Sequence, residues 1–267
     1  MMGQQIEIID THCHATDGFM AIDSAAPAPG TFDKLFDGCR HTARLVVATS
    51  GRNPVLVQQG NVAAVRKLAE LIGGFGEKFI GSVMVNPHDR DGAMEAIELG
   101  INELGFKAVG ELVQYIHNWV TDGPQILPIV QKAIQLDVPM NFHSSTDQHA
   151  EGVAHLAEKF PRGRFIIAHA GGGRSWRRGL EYVRKLPNVW VEVMDNAQPG
   201  ELEGVLAAVG AARMTYGTDF SVHTSPKLRY WPGNNLLDRL EKLQLPDGDV
   251  ERICCLNARQ LLRVEGP

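Results

Sequence analysis

Cysteine is scarce: four residues in 267, at Cys13, Cys39, Cys254 and Cys255. Four thiols, two of them adjacent, do not make a disulfide scaffold, and a chain of this length buries a core without one. With no secretory signal read in the sequence, the expectation is reduced thiols and a cytoplasmic location. Long apolar runs are missing, since none reaches the ~20 residues of a membrane span. A positive excess is missing too. Lys and Arg total 26 against 31 Asp and Glu, for a net charge of −5. Nothing here would draw a polyanion, so neither nucleic acid nor a membrane is the expected partner. Low-complexity tracts, charge runs and domain-boundary signals are also lacking. Residues 1–267 therefore read as one domain, within the size range of α/β barrels.

What is present is a repeat. Eight short apolar segments begin near Ile6, Arg44, Phe79, Phe106, Val138, Arg164, Val189 and Met214, at intervals of 25 to 38 residues. Between them lie amphipathic stretches of helical length, such as "NVAAVRKLAELIGGF", "PQILPIVQKAIQLD" and "HAEGVAHLAEKF". Asp122 is expected to cap a helix entered through Pro124, and "LPN" at 186–188 separates a helix from the next strand. "GNNLLDRLEKLQ" and "VERICCLNARQLLRV" follow the eighth strand as further helices. Strands alternating with helices imply parallel βαβ units, and eight of them favour a closed (β/α)8 TIM barrel. The longer first connection holds a loop, "SAAPAPG", and a short extra helix, "TFDKLFDGCRHTA".

In such a barrel the chemistry sits where strands end. The first strand ends in "IIDTHCH", which puts His12 and His14 on one face by alternation, with Asp10 beside them. Strand four carries Glu111 at the parity of Val109. Strand five ends at His143, strand six at His169 and strand eight at Asp219. Any one of these histidines alone reads best as a hydrogen-bonded core residue. Four imidazoles and two carboxylates converging on one mouth would be costly to bury without a cation. Neutral imidazoles and carboxylates suit Zn²⁺, with Mn²⁺ or Fe²⁺ as alternatives. A divalent ion activates water at neutral pH, and Asp219 is placed in sequence for both ligation and proton transfer.

Together "DTHCH", "GFKAVGE", "DGPQILPIVQKAIQLDVPMNFHSS", "FIIAHAGGG", "MTYGTDFS" and "NARQLLRV" resemble the amidohydrolase superfamily. They are most similar to its amidohydrolase 2 branch, which includes aminocarboxymuconate-semialdehyde decarboxylase-like enzymes. The resemblance implies a barrel in which His12, His14, His143 and Asp219 hold one metal ion. His169 would then activate the water or carbonyl beside it. "AVGELVQY" is similar to strand four of TatD-type deoxyribonucleases, where a glutamate bridges two metals. By that analogy Glu111 bridges, and His143 and His169 hold a second ion. The competing reading makes Glu111 a partner of a histidine or of the substrate. Lys107 sits too early in strand four to serve as the carboxylated lysine used elsewhere in the superfamily.

Weaker expectations attach to the loops. Arg174 is placed to pair with a substrate carboxylate, and Tyr115 and His88 to face the mouth. Glu192, in "VWVEVMD", has no assigned role. The leading functional reading is a metal-dependent hydrolase of a small amide, lactone or related C–N or C–O bond, using metal-activated water. The alternative is a non-oxidative decarboxylase of the same branch. A TatD-type nuclease and a non-catalytic barrel rank third. A small-molecule substrate is the expected partner, and homo-oligomerisation is compatible with the sequence.

Overall fold

The structure, a computed structural model, describes residues 6–15, 42–171, 176–194, 197, 199–220 and 234–266. Eight strands form one parallel sheet in sequence order: β1 (Glu7–Ala15), β2 (Thr42–Thr49), β3 (Phe79–Val83), β4 (Ala108–Leu112), β5 (Met140–Phe142), β6 (Phe165–Ile167), β7 (Val189–Met194) and β8 (Met214–Gly217). The seam between β8 and β1 is closed by side chain and backbone together. Thr11 Oγ1 donates to the Tyr216 carbonyl at 2.9 Å, and Cys13 forms a parallel bridge with Phe220. The result is the expected (β/α)8 barrel. The short helix expected at residues 31–43 lies outside the described residues as far as position 41, and β2 begins at Thr42.

The helices begin and end where local chemistry allows. Asn53 caps Pro54–Gln59 by accepting from the amides of Val55 and Leu56. Asp89 caps Arg90–Glu98, and Thr146 caps Asp147–Lys159. Each of these side chains satisfies amides that a helix start leaves without partners. Asp122 does not play the capping role expected of it. The helix that follows Pro124 runs Leu127–Gln135 from an Ile126 N-cap, with Pro128 in its first turn. Asp122 instead accepts from His155 Nδ1 at 2.8 Å. No helix among the described residues is long and apolar enough to cross a membrane.

Two apolar layers hold the barrel. The outer layer packs strand residues such as Val109, Phe142, Phe165 and Val191 among helix residues such as Leu68, Ile97 and Val153. The inner layer joins Ile9, Val46, Ile80 and Ala108 to Cys255, Ala258 and Leu262 of the C-terminal helical stretch. Against it a small internal space is lined by residues of β1 to β6, among them Ala48, Ser82, Ala108, Asn141 and Ile166, together with Leu262. Side chains of that parity fill the interior, and the C-terminal stretch stops its floor.

Asn257 fixes that stretch to the barrel. It is buried, and its Nδ2 donates to the carbonyls of Ala211 and Met214, both at 2.7 Å. Asn257→Ala leaves two carbonyls without their donor, so it is expected to cost roughly 2 kcal/mol. That corresponds to a drop of roughly 4–8 °C in melting temperature for a chain of this size. A calorimetric scan with no shift would show that the contact does not anchor the stretch.

Candidate metal centre

The mouth is built at the points where strand regularity breaks. The register of β1 against β2 shifts between Asp10 and Cys13. Asp10 turns toward the segment after β8, where its Oδ1 accepts from the amides of His12 and Thr218, both at 3.1 Å. Its Oδ2 accepts from Thr218 Oγ1 at 2.5 Å. This strap fixes the residue that precedes Asp219. Asp219 itself lies in the left-handed region at φ 54°, and His169 does so at φ 56°. Such backbone is uncommon outside glycine, and it is held here by the packing around it.

Glu111 reaches the mouth by a route that alternation does not give. Val109, whose parity it shares, packs in the outer layer, whereas Ala108 and Gly110 line the interior. The pairing of β4 with β5 shifts between Val109 and Leu112, and this irregularity carries Glu111 inward. Gly110 makes it sterically feasible. Its φ is 125°, and a Cβ there would stand 2.3 Å from the Asn141 carbonyl oxygen.

The side chains form two groups joined by one carboxylate. In the first, His12 Nε2 lies 3.0 Å from His14 Nε2 and 3.6 Å from Asp219 Oδ1. His14 Nε2 lies 3.3 Å from Asp219 Oδ1. Glu111 Oε2 stands 3.4 and 3.3 Å from the two imidazole nitrogens. In the second group, Glu111 Oε1 is 2.9 Å from His143 Nδ1 and 3.2 Å from His169 Nε2, and those nitrogens are 3.1 Å apart. His12, His14, Glu111 and Asp219 are buried.

Electrostatics reflect that crowding. Burial pushes the His14 imidazole down, but hydrogen bonds with Asp219 and Glu111 outweigh it and raise its pKa to about 9. Burial likewise opposes charge on His12, and Glu192, Glu111 and Asp219 hold its pKa well above the usual value. Asp219 is lowered to about 2: burial alone would raise it, and the neighbouring His12 and His14 reverse the sign. Glu111 is held well below the usual range against its burial, first by His12.

The remaining site candidates divide. Tyr115 packs its half-exposed ring edge-on to His143, with centroids 5.0 Å apart. His88 is exposed, and its Nε2 donates to the His117 carbonyl, tying the loop after β3 to the short helix Gln114–His117 after β4. Arg174 lies outside the described residues. Arg178 pairs with Asp147 at 2.9 Å on the surface.

Glu192 is the residue that sequence reasoning left without a role. It is fully buried on β7, with Oε1 2.8 Å from His12 Nδ1 and Oε2 accepting from Asn141 Nδ2 at 3.3 Å. The usable signal was its position. It is the sole charged residue in an apolar strand whose Val189, Val191 and Val193 form the opposite, outer face.

The sequence model of the family described as Amidohydrolase matches residues 9–264. No curated protein sequence matches the chain. Among solved structures, 2,6-dihydroxybenzoate decarboxylase from Rhizobium superposes with a TM-score of 0.70 at 17% identity, covering 99% of this chain and 100% of that one. The 5-carboxyvanillate decarboxylase from Novosphingobium aromaticivorans, complexed with manganese and 4-hydroxy-3-methoxy-5-nitrobenzoic acid, gives 0.69 at 14%, covering 98% and 97%. The 4-oxalomesaconate hydratase from Rhodopseudomonas palustris gives 0.67 at 16%, covering 96% and 95%. At these identities the likeness is one of fold.

The raised histidine carries a pH prediction for protein stripped of metal. Protonated His14 contributes stability in full below its ordinary pKa of 6.5, and loses it as pH rises through about 9. Asp219 contributes above 3.8 and loses its share as pH falls through about 2. The melting temperature of chelated protein is therefore expected to fall between pH 6.5 and 9. A flat or rising profile there would mean that His14 is neutral in the metal-free fold.

Proposed function

The chain belongs to the amidohydrolase family, and from that premise we propose a divalent-metal-dependent decarboxylase of a small carboxylic acid, working without oxidation. The observation that carries the metal reading is the spacing of the donors. Two ligands of one tetrahedral ion with bonds of about 2.1 Å are separated by about 3.4 Å. His12 and His14 offer nitrogens 3.0 Å apart, and these lie 3.3–3.6 Å from the nearer oxygens of Asp219 and Glu111. The donor set thus fits a transition ion. Its imidazoles suit zinc, and the manganese in the related carboxyvanillate decarboxylase supports manganese equally.

When bound, a divalent ion supplies a Lewis acid that polarises a substrate oxygen or acidifies water. The chain's own groups supply the rest. Decarboxylation breaks a carbon–carbon bond, releases carbon dioxide and leaves an electron pair on carbon that must take a proton. Asp219, of the first group, and His169, of the second, are the candidates to hold and deliver that proton. Tyr115 offers an aromatic edge beside His143, suited to a ring-bearing acid. Arg174 and His88 are assigned to substrate contact, with Arg174 pairing a carboxylate. By name, two of the fold relatives decarboxylate aromatic acids, which favours this reading over the hydrolase reading of the sequence alone.

Hydrolysis stands second, on one observation. Glu111 turns one oxygen toward His12 and His14 and the other toward His143 and His169, an arrangement suited to bridging two ions around an activated water. A related hydratase, by its name, adds water to its substrate.

The deciding experiment is elemental analysis of purified protein, followed by hydroxylated benzoic acids, lactones and amides assayed for carbon dioxide release and for water addition. Carbon dioxide release with bound metal is the expected result. Protein that holds no divalent ion after reconstitution overturns the proposal. Asp219→Asn is expected to lower turnover about 10²–10⁴-fold while the fold persists; near-wild-type turnover would remove Asp219 from the chemistry. If Glu111 bridges, Glu111→Gln should reduce metal from near two per chain to one or fewer. Content near one in both proteins leaves Glu111 as a histidine or substrate partner.

A further inference from the structure

Glu192 has a placement that fold stability does not explain. It carries a carboxylate at 0% exposure in the barrel interior. Burying a carboxylate is costly, and a well-packed apolar side chain would serve a core at least as well. The barrel nevertheless makes room for it. A Cβ on Gly217 would lie 2.4 Å from Glu192 Cδ, so the neighbouring strand is bare where the carboxylate sits. Both recorded partners are on adjoining parts of the mouth: His12 Nδ1 at 2.8 Å from Oε1, and Asn141 Nδ2 at 3.3 Å from Oε2.

His12 is bifunctional in geometry. Its Nδ1 is bound to Glu192, while its Nε2 lies among His14, Glu111 and Asp219. A neutral imidazole carries its proton on one nitrogen only, and the other nitrogen then offers the lone pair. A carboxylate can only accept, so it selects the form with the proton on Nδ1. Asn141, donating to the second oxygen, fixes the rotation of the carboxylate.

From this geometry we infer that Glu192 is a positioning residue for the metal centre: it holds His12 with Nδ1 protonated and Nε2 free to ligate, with Asn141 as its strut. The inference rests on the metal reading proposed above and adds to it a residue outside the donor set. A glutamine in its place can still accept from His12 through its carbonyl and can donate to Asn141 Oδ1 once that amide turns over, but the charge that favours the Nδ1–H form is lost.

The test is Glu192→Gln, loaded with Zn²⁺ and titrated with a competing chelator beside the wild type, with melting of both metal-free proteins as the folding control. Affinity is expected to weaken about 10–100-fold, with the metal-free variant still melting as a folded protein. Nitrogen-15 NMR of the zinc-loaded wild type should show His12 protonated at Nδ1, and that signal should shift or vanish in the variant. Affinity within about twofold of wild type, with the same His12 tautomer, overturns the inference and leaves Glu192 a structural group. If Glu192→Gln does not fold, Asn141→Ala tests the same device. It keeps the carboxylate and removes the strut, and it should weaken zinc several-fold; unchanged affinity again overturns the inference. A wild type that binds no Zn²⁺ sinks the metal reading itself, which separates that failure from failure of the Glu192 assignment.

Discussion

Buried negative charge is the constraint on which the mouth of this barrel depends. Glu111, Asp219 and Glu192 are all buried within contact distance of imidazoles, and neither Glu111 nor Glu192 pairs with a lysine or arginine among the described residues. Carboxylates in such a place require compensating positive charge. His12 and His14 can supply it as protons, which is what their raised pKa values express. A divalent ion supplies the same charge with the imidazoles neutral. The site thus has two fillings that balance its charge, and contacts of 3.0–3.6 Å are compatible with both.

The rest of the fold serves to hold those charges at that spacing. β1 contributes two imidazoles, and Asp10 on the same strand straps the residue before Asp219. The seam between the first and last strands is therefore also the joint that sets His12 and His14 against Asp219. β4 and β5 place Glu111 against His143, and β5 and β7 supply Asn141 and Glu192 behind His12. Below them the inner apolar layer and the C-terminal stretch close the floor, which keeps the polar layer dry from beneath.

The architecture was readable because it depends on repetition. All eight strands begin within two residues of where apolar, β-branched segments begin in the sequence, since a parallel strand buried on both faces must be apolar nearly throughout. The convergence of His12, His14, Glu111, His143, His169 and Asp219 was readable for a related reason: a barrel brings all its strand ends to one face. Asp122 was misread because a cap depends on where the chain turns, and here the helix starts three residues after Pro124, at Leu127. The chemistry was less readable still. A hydrolase and a decarboxylase ask for the same cation and the same proton carriers, so the donor residues alone do not separate them.

The parity argument for Glu111 reached the correct place from an incorrect premise, and the reason is instructive. Strict alternation holds along β7, where Val189, Val191 and Val193 face outward and Glu192 faces in. It fails on β1 after Asp10 and on β4 after Val109, the two strands whose register shifts. Those shifts precede His12 and Glu111, and the left-handed backbone occurs at His169 and Asp219. A regular strand would send successive side chains to opposite faces, and one face alone could not crowd this many donors around a common point. Local irregularity re-aims them. Consistency between sequence pattern and backbone therefore builds the barrel, and departures from it occur where donors must converge. Glu192 is the informative exception: it sits on regular strand, behind the donors, where orientation of His12 rather than convergence is required.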